Sequence, residues 1–140
     1  INAFGEELIV DNAEQGLAWA CAQTGAVVSE YTAAPVFMDD KGHCRHQWVV
    51  EFAVAPDDTE AFMSQLDSRL QALNSDYEAK RYKDITLQRP QLVVARKGLF
   101  NDWLRMKGKL GGQHKVPRLA NNRDIIDELL ELNHQPNATA

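Results

Sequence analysis

Residues 108–118 read Gly-Lys-Leu-Gly-Gly-Gln-His-Lys-Val-Pro-Arg, a basic loop with three glycines whose last part is stiffened by Pro117. Its Gly-Gly turn presents Gln113, His114, Lys115 and Arg118. Such a set suits a group that swings onto a developing negative charge, because lysine is a compact point charge on a long stem. The loop is not a P-loop: Gly108-Lys109 is followed by Leu110 instead of Ser or Thr, and Trp103 stands where that motif needs its first glycine. Taken as a pattern alone, a solvated basic loop is the simpler reading.

Other chemistry finds less support. His43, Cys44 and His46 could be drawn as a metal cluster, but in a strand His43 and His46 point to opposite faces, while Cys44 and His46 share theirs with Trp48 and Val50. A packed or domain-facing histidine is the better reading of His46, and no metal site is expected. Cys21 and Cys44 have no C-x-x-C spacing and read as buried thiols, which argues against redox or zinc chemistry. No G-x-S-x-G elbow occurs, and Ser29, Ser64, Ser68 and Ser75 lack a supporting base.

The whole chain has 140 residues, of which 44% are hydrophobic, and a net charge of −5. That is the composition of one ordinary soluble domain, large enough to bury a core without disulfides or a structural metal. No apolar run reaches the length of a membrane span and no secretion signal is visible, so a cytoplasmic protein is expected. The charge is unevenly spread. Residues 1–79 hold 3 basic and 14 acidic side chains (net −11), residues 80–123 hold 12 and 2 (net +10), and residues 124–140 hold none and 4 (net −4). Such asymmetry points to an anionic ligand for the middle segment, with phosphate first among candidates. A noncatalytic module that uses residues 80–123 to hold RNA or a phosphorylated partner is the alternative; the acidic residues 1–79 would repel a long polyanion, and Trp103 belongs to a helical stripe. The chain starts at Ile1 instead of Met, which fits a piece of a longer protein.

These residues need elements to hold them. Residues 1–8 read as extended chain with a turn at Gly5. Asp11 followed by Glu14 predicts a capping box for a helix over about 12–24, closed by Gly25. Residues 27–32 and 44–54 read as an antiparallel hairpin with Cys44, His46, Trp48, Val50, Phe52 and Val54 facing the core and Arg45, Gln47 and Glu51 facing away. Pro56-Asp57-Asp58 with Glu60 starts a helix that carries the stripe Phe62, Met63, Leu66, Leu70 and Leu73. A short polar helix over about 76–82, a strand over 92–95, a helix carrying Leu99, Phe100, Trp103 and Leu104, and a helix over about 122–132 complete the pattern. This is an α+β fold, a small mixed or antiparallel sheet covered by helices, with one domain over 1–133 and a frayed tail over 134–140.

Several of these stretches resemble a known family. Asn74-Ser75-Asp76-Tyr77 with Arg81 and Asp84, then Leu92-Val93-Val94, Gly98-Leu99-Phe100 and Gly112-Gln113-His114-Lys115-Val116-Pro117-Arg118 are similar to the C-terminal part of the Gretchen Hagen (auxin-responsive promoter) acyl acid amido synthetases. The opening Ile1-Asn2-Ala3-Phe4-Gly5-Glu6-Glu7-Leu8 resembles the stretch just after that family's hinge, so the likeness runs over about 1–132. Plant members usually carry Gln-Tyr where this chain has Gln113-His114, so it looks like a bacterial member. The resemblance implies the mobile C-terminal lid of an adenylate-forming enzyme, whose large N-terminal domain binds ATP, Mg2+ and the carboxylic acid. It further implies that domain rotation delivers Lys115 to the adenylation site. Gln113, Arg118, Arg81 and Tyr82 would then contact the nucleotide or the interdomain face, and Asn2 and Gly5 would form the acceptor-side loop. The parent's partners are its own N-terminal domain, a carboxylic acid and an amino acid, and the lid alone is expected to be inactive.

Overall fold

The computed structural model describes residues 1–2, 5–38, 43–108 and 115–135. The elements are helix α1 (Val10–Thr24), strands β1 (Val27–Phe37) and β2 (Cys44–Val54), helices α2 (Thr59–Leu73) and α3 (Ser75–Arg81), strand β3 (Leu87–Val94), and helices α4 (Leu99–Met106) and α5 (Asp124–Asn133). A single 3-10 turn, Tyr82–Asp84, links α3 to β3.

The three strands form one mixed sheet in the order β1-β2-β3. β1 and β2 pair antiparallel, with Ala33 opposite Trp48 and Phe37 opposite Cys44, as the expected hairpin requires. β3 lies parallel to β2, which the crossover through α2 and α3 permits. This strand starts at Leu87, five residues before the expected Leu92, and so contains Pro90. A proline without an N–H fits there because β3 is an edge strand and its pairing with β2 shifts register between Arg45 and Gln47.

Helices cover both faces of the sheet, which corrects the single core face expected for β2. On one side α1 and α2 pack Ala13, Leu17, Phe62, Leu66 and Leu70 against Tyr31, Ala33, Trp48, Val50 and Phe52. On the other, α4 and α5 pack Leu99, Phe100, Trp103, Ile126 and Leu129 against Ala34 and Val49. The run Trp48-Val49-Val50 is therefore fully buried, whereas Val54 at the strand end is 52% exposed. His46 and Trp48, at 1% and 0% exposed, lie in the core and not at an outer edge.

Local chemistry sets the helix ends. Asp58 caps α2 by accepting from Glu60 N at 3.0 Å and Ala61 N at 3.1 Å. Gly25 closes α1 at φ +77, where its N–H donates to Cys21 O at 2.8 Å. The start of α1 differs from expectation: it begins at Val10, where Asn12 Oδ1 accepts from Ile9 N, while Asp11 accepts from Gln15 and Glu14 from the Tyr31 hydroxyl. Residues 1–8 are not a strand of the sheet in their described part. Ile1 and Leu8 meet, Leu8 N donating to Ile1 O at 2.8 Å and Ile1 N to Leu8 O at 2.5 Å.

Candidate functional site

The segment that follows the basic loop is pinned to β1. Ala33 N donates to Arg118 O and Ala120 N to Ala33 O, both at 3.0 Å, and Thr32 Oγ1 donates to Pro117 O at 2.7 Å. Val116 is buried among α4, α5 and β2 side chains. Lys115 thus stands, exposed, at the first residue before a fixed anchor. It lines a cleft of about 220 Å³ with Ser29, Glu30, Glu51, Gly98, Phe100, Asn101 and Leu104. Among the described residues Lys115 makes no ion pair. An ammonium on a long stem, rooted at a rigid point and open to solvent, can reach a charge brought to it from outside.

Arg118 is brought to the same place but is differently occupied. Its Nη1 donates to Glu30 Oε2 at 2.6 Å, and its guanidinium lies 4.8 Å from the Tyr31 ring centroid. The Tyr31 hydroxyl donates to Glu14 Oε1 at 3.0 Å. Burial first, and the Glu14 carboxylate second, push that phenol well above its ordinary range, so it stays a donor.

The other expected residues lie elsewhere. Arg81, on α3, turns inward: Nε and Nη2 donate to Asp67 at 2.8 and 2.6 Å, and Nη1 donates to Asp84 and to Leu87 O. Tyr77 adds a 2.6 Å bond to Asp67 from a hydroxyl that burial raises well above its usual range. Despite that burial, the bonds to Asp67 and Asp84 hold the Arg81 guanidinium protonated well beyond any working pH. Tyr82 is 65% exposed, with the Lys83 ammonium 5.3 Å from its ring centroid. Asn2 donates its backbone N–H to Asn121 Oδ1 at 2.8 Å. Gly5 takes φ +88 next to the aliphatic end of Lys80, a backbone conformation that suits glycine. Gln113 and His114 lie outside the described residues.

Two carboxylates beside Lys115 escape a sequence reading. Glu51, expected to face solvent, caps α4: its oxygens accept from Gly98 N and Phe100 N, each at 3.2 Å. The available signal was the start of α4 itself, where Gly98 offers no side-chain cap. Glu30 carried no signal in the sequence, because its partner Arg118 is 88 residues away. Glu6 is a third such residue, wholly buried and 2.8 Å from His46 Nε2. Cys44, next to that pair, has its thiol pushed up to about 11, chiefly by burial and then by the Glu6 charge, so it is protonated at neutral pH. No three His, Cys, Asp or Glu side chains converge as metal ligands among the described residues. Nor is any helix among them long and apolar enough to cross a membrane.

Comparison with known proteins gives two findings. The profile of the GH3 family C-terminal domain matches residues 11–124. Among solved structures, the GH3.15 acyl acid amido synthetase superposes with a TM-score of 0.62 at 18% identity, covering 87% of this chain and 22% of that protein. AtGH3.15 acyl acid amido synthetase in complex with 2,4-DB gives a TM-score of 0.62 at 16% identity, covering 88% and 23%. At those identities the likeness establishes the fold, and this chain spans under a quarter of the solved proteins' length. No curated protein matches the sequence.

Proposed function

Because the chain belongs to the GH3 C-terminal domain family, we propose that it is the lid of an ATP-dependent acyl acid amido synthetase, with Lys115 as the cation delivered to the adenylation site by domain rotation. In the first half-reaction a carboxylate oxygen attacks the α-phosphorus of ATP and pyrophosphate leaves. In the second an amino acid's amine attacks the acyl carbon, an amide forms, loses its extra proton, and AMP leaves. In the first step negative charge accumulates around the α-phosphate as the carboxylate attacks. A cation that arrives on closure stabilises that transition state more than the open ground state, which raises the rate and not merely the affinity.

The placement of Lys115 carries this reading: exposed, without an ion pair among the described residues, and rooted one residue before a buried anchor. ATP and Mg2+ are assigned mainly to the large domain of the parent enzyme. Asn2 and Gly5 are assigned to the acceptor-side loop of the second half-reaction. Gln113 and Arg118 would orient the lysine segment, Arg118 through the Glu30 pair that ties it to β1. Tyr82, which is exposed, would face the large domain, while Arg81 behind it ties α3 to α2 and β3.

The test is Lys115→Ala in the full-length enzyme. Pyrophosphate exchange should fall by roughly 10²–10³, equivalent to about 3–4 kcal/mol, while amide formation from preformed acyl-adenylate changes little. Exchange at the wild-type rate overturns the assignment. The lid by itself should turn over no ATP.

A further inference from the structure

Glu6 has no exposed surface, and His46, on the α1/α2 face of β2, is 1% exposed. Burying a carboxylate beside an imidazole is costly, and two apolar residues of similar volume would pack there at less cost. What such a pair supplies in return is geometry. His46 Nδ1 has no hydrogen-bond partner among the described residues, so the 2.8 Å contact from Nε2 to Glu6 is what orients the ring. The ring in turn packs against Tyr77, with centroids 5.9 Å apart, and Tyr77 joins the Asp67–Arg81 cluster.

The chain around Glu6 is built to receive this strut. Ile1 and Leu8 are both buried and bonded to each other, Leu8 N–H to Ile1 O and the Ile1 amino group to Leu8 O, so the two ends of this segment are joined in the core. Glu7 takes φ +46, a left-handed conformation that costs a bulky residue about 1 kcal/mol or more and survives only where the surroundings fix it. It separates two neighbouring carboxylates, Glu6 directed into the core and Glu7 exposed. Asn2 and Gly5 lie in the sequence between Ile1 and Glu6, beside the two fixed points.

We infer that Glu6 and His46 are positioning residues that fix this loop on the rigid sheet for the acceptor step. This rests on the reading of Asn2 and Gly5 as the acceptor-side loop. The pair touches no substrate; it acts by holding the loop where the incoming amine must be met. A loop released from its strut keeps its residues but loses their placement, and a displacement of about 1 Å at a reacting centre costs up to about a hundredfold in rate.

The experiment separates the half-reactions in the full-length enzyme. In Glu6→Ala and in His46→Ala, amide formation from preformed acyl-adenylate should fall about tenfold to a hundredfold, with pyrophosphate exchange within about twofold of wild type. Glu6→Gln, which can still hydrogen-bond His46, should recover most of the loss. Leu129→Ala, a cavity in the other core cluster, serves as a control for destabilisation alone. Equal losses in both half-reactions, matching that control at the same loss of thermal stability, overturn the proposal, as does full activity in Glu6→Ala. Should the alanine variants not fold, Glu6→Met, which fills the space but cannot hydrogen-bond His46, carries the same comparison. Hydrogen exchange at Leu8 N–H gives a readout independent of catalysis. It should accelerate in Glu6→Ala without change in α4 and α5, and unchanged exchange overturns the anchor. A parent enzyme that forms no acyl-adenylate would instead overturn the lid assignment, and Leu8 exchange would still decide the anchor.

Discussion

The Arg81 guanidinium joins three elements at once, reaching Asp67 on α2, Asp84 in the 3-10 turn and the carbonyl of Leu87 at the head of β3. Its side chain is 8% exposed and that of Asp67 10%, so the pair is largely withdrawn from water. Removing one partner leaves the other as a buried charge without compensation, the expensive outcome for such a pair. Arg81→Met should therefore cost about 3–5 kcal/mol in urea unfolding of this chain, because among the described residues Asp67 would keep the Tyr77 hydroxyl and a Gln71 amide and no cation. Unfolding with an unchanged midpoint would mean that Arg81 is free to serve the interdomain face. Residues of this kind show the limit of sequence reading. Lys115 is singled out by the likeness of its segment, Gly112 to Arg118, to a known family; by composition alone its loop reads as a solvated basic one. The buried roles of Arg81 and Glu6 are not legible, because each partner lies distant in the chain, 14 residues from Arg81 to Asp67 and 40 from Glu6 to His46.

Helices and strands with a strong period were readable and their crossings were not. β2 begins and ends where its alternation does, at Cys44 and Val54, and α2 begins within the Pro56-Asp57-Asp58 start signal, with Asp58 as the capping residue. The second layer of helices escaped notice because Glu51 and Gln47 made the odd face of β2 look solvated. Gln47 is instead 8% exposed and accepts from Arg123, at the start of α5, at 2.7 Å. Glu51 ends its strand's polar alternation by capping α4 across the sheet face, a role with the physics of an N-cap but supplied from 47 residues away. Glu51→Ala should accordingly destabilise the chain by about 1–2 kcal/mol, and the loss should appear first as faster hydrogen exchange in α4. Because the same carboxylate lines the Lys115 cleft, Glu51→Gln is the informative companion. Its amide oxygen can still cap one N–H, so stability should recover in part. Equal stability of wild type and Glu51→Ala would show that water caps α4 as well as the carboxylate does.

Folding rearranges the charge pattern of the whole chain. The middle segment carries twelve of the fifteen lysines and arginines, and as a linear tract it invites a polyanion. In three dimensions the acidic ends fold back onto it. Arg81 meets Asp67, Arg89 meets Glu60 and Arg118 meets Glu30 from the N-terminal side, while Lys107 meets Glu128 and Arg123 meets Asp127 from α5. Arg96 and Arg105 share Asp102 within the segment itself. Nonspecific nucleic-acid binding depends on free cations that release counterions from consecutive phosphates, and each internally paired arginine is one fewer. Long-range repulsion from the net charge of −5 adds to that deficit at low salt. The isolated chain should therefore show no saturable binding of a fluorescent single-stranded RNA at protein concentrations up to about 10 µM in about 0.15 M salt. Micromolar affinity that weakens steeply with added salt would instead support the noncatalytic module and show that cations beyond the paired ones line up on one face. The cationic group that remains exposed and unpaired among the described residues at the candidate site is Lys115, a single charge. One charge at the rim of a cleft is poorly suited to grip a polymer, but it matches the need of one α-phosphate whose charge rises during a reaction.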